Sequence, residues 1–293
     1  MGRINFLLSV MRKIIAAQDS SCPYCGSNMT HIVQRKKVVL QLRSCQACEL
    51  LFRYPKDVAE ESRSFYQLNY REPTVTDLPR PSELPRHIQT NFASIARDLS
   101  GPIATMKRLK PSGTILDYGS SWGYGVHQFR AAGYDAAGYE ISRPRAEFGR
   151  RHLNVTIYES VEDLTDRSFD ILFSSHVLEH IPNPRVAFDH FRRLLKPSGL
   201  LMIFVPNAGG RLARELGTTW GPLICEKHVL ALTAAFFERN LSTYGLRLLF
   251  GTSPYTRPPA PLAMTTDLDG EELMVIGQPE LTSASTGRPG PDI

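Results

Sequence analysis

From about Gly113 onward, short apolar runs alternate with segments whose apolar positions recur every three to four residues. Thr114–Gly119, Ala136–Glu140, Val155–Tyr158, Phe169–Ser174, Leu200–Val205 and Leu246–Phe250 have the length and composition of strands. Residues 124–132, 144–152, 185–195 and 233–243 carry helical stripes between them. Strands alternating with helices predict βαβ units, and so a parallel sheet covered on both faces. Glu272–Ile276 is one further strand, a hairpin partner for Leu246–Phe250, reached through a Pro/Thr-rich stretch at 254–269.

Before Gly113 the texture differs. Ile4, Leu7, Leu8, Met11, Ile14 and Ile15 fall on one face of a helix over residues 3–15, flanked by Arg3, Arg12 and Lys13. Two readings follow: a helix docked on the protein body, or one making peripheral contact with a membrane surface. Arg12 and Lys13 interrupt the run and no small-residue cleavage site follows, which argues against a secretory signal. Residues 56–110 are polar and punctuated by Pro73, Pro79, Pro81 and Pro85, reading as a linker with one helix near 87–100. The stretch from about Thr282 is rich in Ser, Thr, Pro and Gly and is expected to be disordered. The chain therefore divides into an amphipathic lead (1–20), a cysteine module (21–55), a linker (56–110), an α/β domain (111–280) and a tail (281–293).

Composition changes this picture little. Apolar residues make up 42%, enough for a core, and no run of about 20 apolar residues predicts a membrane-spanning helix. The formal charge of +5 is spread along the chain. It tolerates an anionic partner without indicating nucleic acid.

The five cysteines matter more. Cys22-Pro-Tyr-Cys25 and Cys45-Gln-Ala-Cys48 are two Cys-x-x-Cys turns separated by 19 residues, and Gly26 follows the first. Four thiolates on two such turns can close a tetrahedral shell around a structural Zn2+, with no open coordination position for catalysis. A redox Cys-x-x-Cys would need a thioredoxin-like setting, which is absent. Reduced, metal-binding cysteines place the protein in the cytoplasm. The strand-like Val38–Leu42 between the turns suits a zinc ribbon. So small a segment is expected to depend on the metal for its folding. Cys225 stands apart.

The sharpest chemical signal is Asp117-Tyr-Gly119-Ser-Ser121-Trp-Gly123-Tyr-Gly125, which ends a strand and opens a helix. Small residues there let backbone amides approach a ligand, and a helix start favours an anionic group. Glu140 ends the next strand, where an acid can accept both hydroxyls of a ribose. With Phe169-Asp-Ile-Leu-Phe173, Leu178-Glu-His-Ile-Pro-Asn-Pro184, Leu195-Lys-Pro-Ser-Gly199 and Val205-Pro-Asn207, this region resembles the class I S-adenosylmethionine-dependent methyltransferases over residues 110–252. The resemblance implies a Rossmann-like seven-stranded sheet behind the small zinc ribbon. It also implies that Asp117, Gly119, Ser121 and Gly123 meet the methionyl end of S-adenosylmethionine. Glu140 would then bind the ribose, Glu159, Ser160 and Val161 would flank the adenine, and Ser175 with His176 would face the methyl donor. Ser121 stands where the family usually has glycine.

A methyl transfer to a hydroxyl or carbon acid needs a base, and histidine serves near neutral pH. His176 and His228 are the candidates. Glu226-Lys-His228-Val resembles a stretch of the deoxysugar C-methyltransferases that carries a catalytic histidine in enzymes with a zinc module. His176, Glu179 and His180 also resemble a divalent-metal stretch of ubiquinone-pathway methyltransferases. The other reading is that Glu179 and His180 fix the turn before Pro182. The expectation is a methyltransferase acting on a small-molecule acceptor: a sugar, nucleotide-sugar or glycan precursor. An RNA base methyltransferase and a non-catalytic cofactor-binding protein are the alternatives.

Overall fold

The period-two alternation of the strands becomes two separate cores. Ile115, Ile171, Phe173, Met202, Phe204, Met274 and Ile276 face one side of a seven-stranded sheet. Their neighbours Leu116, Leu172, Leu201, Ile203, Leu273 and Val275 face the other. Successive side chains of a strand point to opposite faces, so each strand feeds both layers. The computed structural model describes residues 3–280 except 17, 38, 62–63, 65–76 and 266. The expected tail, Pro73 of the expected linker and Val38 lie outside the described residues.

The sheet comprises β4 (Thr114–Tyr118), β5 (Asp135–Tyr139), β6 (Ile157–Tyr158), β7 (Phe169–Ser175), β8 (Leu195–Pro206), β10 (Leu246–Thr252) and β11 (Glu272–Pro279). Their order is β10-β11-β8-β7-β4-β5-β6. The pairs β4–β5, β5–β6, β4–β7 and β7–β8 are parallel. β11 inserts antiparallel between β8 and β10, placing Glu272 opposite Pro206 at the C-terminal end of β8. The chain order reverses at β4, and ligands of such sheets bind beyond the strand C-termini at that point.

The helices follow local rules. α4 (Tyr124–Ala131) starts from left-handed Gly123, and α5 (Arg143–Leu153) has Pro144 in its first turn. α6 (Pro184–Leu194) is capped by Asn183, whose side chain accepts from the Arg185 amide at 3.0 Å. α8 (Ala234–Leu241) is capped in the same way by Thr233. The short α7 (Arg211–Leu216) follows Gly210. The single helix expected at 87–100 is instead two, α2 (Leu84–Gln89) and α3 (Ser100–Leu109), separated by a turn in which Asn91, Phe92 and Ser94 are left-handed.

The cysteine module is not a separate body. β1 (Thr30–Lys36), β2 (Leu40–Cys45) and β3 (Leu51–Tyr54) form a four-stranded sheet with β9 (Leu230–Ala231), contributed by the α/β domain. Tyr24 packs edge-on against Phe188 and Phe236, and Asn240 donates to the Cys48 carbonyl at 2.9 Å. The module thus shares the main core, which supplements whatever the metal contributes.

The N-terminal helix α1 (Arg3–Ile15) docks by the side opposite to its apolar stripe. Val10 is buried and Lys13 pairs with Asp57 and Glu61 at 3.0 and 2.6 Å, while Leu8, Met11, Ile14 and Ile15 face outward. Ile4 and Leu7 lie outside the residues whose side chains are described. On the docked side Lys13 reaches two carboxylates and the Phe6 ring lies under the Arg53 guanidinium. Among the described residues, no helix is long and apolar enough to cross a membrane.

Candidate active site

The turn after β4 is built by backbone. The amides of Gly119 and Ser120 both donate to the Tyr139 carbonyl, at 2.8 and 3.0 Å, locking the ends of β4 and β5 together. Gly119 and Gly123 have φ of +86° and +79°. A Cβ at Gly119 would collide with Val177, and one at Gly123 with Val155. Tight packing therefore demands glycine at both positions.

Ser121 takes a left-handed φ of +50° despite its side chain. Its amide donates to Glu140 at 2.8 Å, and its hydroxyl accepts from the Arg145 guanidinium at 2.9 Å. The hydroxymethyl is thus held on α5. Arg145, itself buried, also lies 3.8 Å from Asp77, whose carbonyl accepts from the Trp122 indole at 3.1 Å. Sequence gave no sign of Asp77 or Arg145 in this role.

Two buried carboxylates occupy the strand tips. Glu140 accepts from the amides of Ser121 and Ser142, at 2.8 and 2.7 Å. Burial still holds its pKa above the ordinary range. Burial, followed by the charge of Glu140, pushes Asp117 up to about 8. Such a pair fits a ligand that brings hydroxyls and a positive charge.

The adenine-side candidates are more exposed. Glu159 is ion-paired with Arg150, Ser160 bonds to Glu162, and Val161 packs at the edge of the core.

Beyond β7, Ser175 leads into His176, which has a φ of +54° and an amide donating to the Phe204 carbonyl. Its ring sits between two carboxylates, with Nδ1 3.3 Å from Glu179 and Nε2 2.5 Å from Glu272. Burial would lower its pKa, but the two carboxylates raise it to about 10. Tyr255 donates its hydroxyl to Glu272. Glu272 and Tyr255 join the site only through the insertion of β11, so sequence reasoning missed them.

Glu179 is wholly buried, and among the described residues its oxygens make ionic contacts to His176 and His180 but accept no hydrogen bond of good geometry. Burial would raise its pKa, yet the neighbouring histidines bring it to about 2. The His180 and His228 rings meet edge to face at 4.8 Å. His180 Nδ1 lies 3.1 Å from the Lys227 carbonyl, and His228 Nδ1 lies 2.7 Å from that of Pro222. In each neutral ring this geometry assigns the proton to Nδ1 and the lone pair to Nε2. Glu179, His180 and His228 bring ligand-capable atoms within 4.8 Å of one another. The site thus gathers His176, Glu179, His180 and His228 beyond β7.

The thiols of Cys22, Cys25, Cys45 and Cys48 also lie within 4.8 Å of one another. The sulfurs of Cys22 and Cys48 are 3.5 Å apart, and those of Cys25 and Cys45 3.6 Å. A tetrahedral zinc about 2.3 Å from each sulfur would hold them roughly 3.8 Å apart, so the cluster fits the ion.

A doubly wound sheet with a glycine-bounded turn and two acid-tipped strands at its switch point defines a nucleotide-type cofactor fold. Residues 87–249, more than half of the chain, match the methyltransferase domain family model, and the chain belongs to that family. It is 28% identical over 144 residues to a malonyl-[acyl-carrier protein] O-methyltransferase of Serratia marcescens, covering 47% of this chain and 55% of that one. An uncharacterized methyltransferase of Mycobacterium bovis (strain BCG / Pasteur 1173P2) is 30% identical over 129 residues, covering 42% and 50%. The chain thus spans about half the length of the curated relatives it matches. A crystal structure of a SAM-dependent methyltransferase from Archaeoglobus fulgidus aligns at a TM-score of 0.47 with 15% identity, covering 66% of this chain and 99% of that one.

Proposed function

We propose that the protein transfers a methyl group from S-adenosylmethionine to a small-molecule acceptor: a sugar, nucleotide-sugar or glycan precursor. The observation that carries this reading is the placement of Glu140 and Asp117, two buried carboxylates on adjacent strand tips beside the turn at Gly119–Gly123. Glu140 takes the ribose hydroxyls. Asp117 meets the amino group. Gly119, Ser121 and Gly123 shape the methionyl end, and Glu159, Ser160 and Val161 border the base. When bound, S-adenosylmethionine supplies a methyl group on a sulfonium, so the protein contributes mainly alignment and a base.

His228 is the base. Its Nδ1 proton is committed to Pro222, which leaves Nε2 to accept the acceptor's proton. His176, held as a cation between Glu179 and Glu272, orients groups beside Ser175 and does not itself take a proton. A cavity of about 840 Å³ lies at the same end of the sheet, lined by Arg211, Thr252, Ser253, Arg257 and Asp269 among others. It borders Glu271, next to Glu272, but neither His176 nor His228 lines it. The four cysteines hold a structural zinc.

Calorimetry with S-adenosylhomocysteine tests the cofactor half. Wild type binds, and Glu140→Ala loses about ten- to a hundred-fold in affinity. A wild-type protein with no affinity removes the reading. A methyl-transfer screen over nucleotide sugars and glycans tests the acceptor. Turnover insensitive to salt on such an acceptor separates it from an RNA substrate, whose binding would fall steeply with salt.

A further inference from the structure

The outward face of α1 has an unusual composition for a surface. Leu8, Met11, Arg12 and Ile15 recur at the spacing that stacks side chains along one side of a helix. Leu8 is 53% exposed, Met11 43% and Ile15 79%, with Ile14 beside them at 38%. The opposite side is anchored. Val10 is buried, the Phe6 ring lies under the Arg53 guanidinium at 5.5 Å, and Lys13 holds Asp57 and Glu61. Rolling the helix to bury its leucine and isoleucines would strip Lys13 from two carboxylates. In this docking the apolar stripe faces out.

Charge identifies what fits it. The first 61 residues, which include the acids gripped by Lys13, contain nine Lys or Arg and five Asp or Glu, a formal +4, whereas the remaining 232 carry +1. Three of these cations are spent on carboxylates, Lys13 on Asp57 and Glu61, Arg53 on Asp57 and Lys56 on Asp19, and Glu49 is held by Arg239, so the excess lies with the other six, Arg12 among them. An exposed apolar stripe with Arg12 set into it, on a module that carries most of the chain's positive excess, matches the boundary between acyl chains and anionic headgroups. A second copy of the chain fits poorly, because a two-fold contact through this face would oppose two basic modules. At 13 residues the helix is too short to span a bilayer.

We propose that α1 and the basic cysteine module dock on the surface of an anionic phospholipid bilayer, with Leu8, Met11 and Ile15 inserted and the helix lying in the membrane plane. This goes beyond the methyl-transfer reading and stands independently of it.

The test is vesicle flotation of the full chain. Wild-type protein is expected to float with phosphatidylcholine vesicles containing about 30% phosphatidylglycerol, and about ten-fold less with phosphatidylcholine alone. Raising salt from about 0.1 M to about 0.5 M should weaken the attachment. Leu8→Glu/Met11→Glu should lose about ten-fold or more in vesicle binding while keeping the melting temperature and the affinity for S-adenosylhomocysteine. Arg12→Glu should weaken binding with the apolar stripe intact. Failure of the wild type to float with anionic vesicles, or equal flotation by the double variant, overturns the proposal. A dimer in gel filtration that the double variant abolishes, without vesicle binding, also overturns it and assigns the face to a second copy.

Discussion

The guanidinium of Arg53 donates to the carbonyl oxygen of Cys225 at 2.8 Å, and to that of Glu226 at the same distance. Arg53 is fully buried on β3, in the cysteine module, while Cys225 and Glu226 open the loop that carries His228. Next to this contact, β3 pairs with β9, and the Val229 amide donates to the Glu179 carbonyl. The module therefore fixes the position of the His228 loop.

Arg53→Met removes those donors and leaves two carbonyls without their partner. The expected cost is about 1–3 kcal/mol, read as a lower urea midpoint. Turnover should fall about ten-fold as the loop loosens, with affinity for S-adenosylhomocysteine unchanged. An unaltered turnover would show that the loop is held by other contacts.

His228→Ala is expected to lower turnover by about 10²- to 10⁴-fold, the usual contribution of a general base. Cofactor affinity should be retained. A fully active His228→Ala variant refutes its assignment as the base.

Ser121 separates strain from bonding. Glycine would relieve the left-handed backbone but lose the hydroxyl contact to Arg145; alanine would lose the contact and keep the strain. Ser121→Gly should therefore be more stable than Ser121→Ala by about 1 kcal/mol in thermal or chemical unfolding. The reverse order would mean that the turn differs from the one described.

The His176 cluster gives a pH signature. A histidine whose folded pKa is raised to about 10 contributes stability that is fully present below its unfolded pKa of about 6.5. That contribution fades as pH rises through about 10. Glu179, brought down to about 2, contributes stability present above its unfolded pKa of about 4.3 and lost as pH falls through about 2. Melting temperatures measured from pH 7 to about pH 10 should therefore decline more steeply in wild type than in His176→Gln. Equal slopes would show that His176 is not held as a cation.

Metal content is the remaining test. Elemental analysis should find one zinc per chain in wild type and less in Cys22→Ser/Cys45→Ser. Loss of the ion should lower the melting temperature. Because the module grips the His228 loop through Arg53, turnover should fall further than cofactor affinity does. Zinc-free wild type with an unchanged melting temperature would exclude the structural role.

The parallel sheet was legible in the sequence because each strand is a short apolar run whose alternate residues feed two cores. α3 was not: the expected helix of the linker ended at residue 100, where α3 begins, and α3 carries Pro102 in its first turn. Proline in the first turn costs no helical hydrogen bond, and the chain continues past it. β9 is two residues long and carries no periodic signal. The stripe on α1 was visible, but the side that docks depends on Asp57 and Glu61, more than 40 positions away. The turn expected to hold the cofactor was legible through its resemblance to a methyltransferase loop, which needed Glu140 and the downstream segments as well as the glycine spacing. The partners that complete the site, Glu272 and Tyr255 against His176, and Arg145 against Ser121, depend on strand insertion and helix packing that no local pattern encodes.

The shared strand β9 has a consequence for biosynthesis. The cysteine-bearing strands leave the ribosome first, yet the edge they pair with lies about 180 residues later, at Leu230–Ala231. At about 5–20 residues per second, the nascent module waits roughly ten to thirty-five seconds for that neighbour. During this interval its thiols and unpaired strand edge are open to the cell. Capturing an ion early would cover the thiols, while the edge of β3 stays open until Leu230–Ala231 arrives.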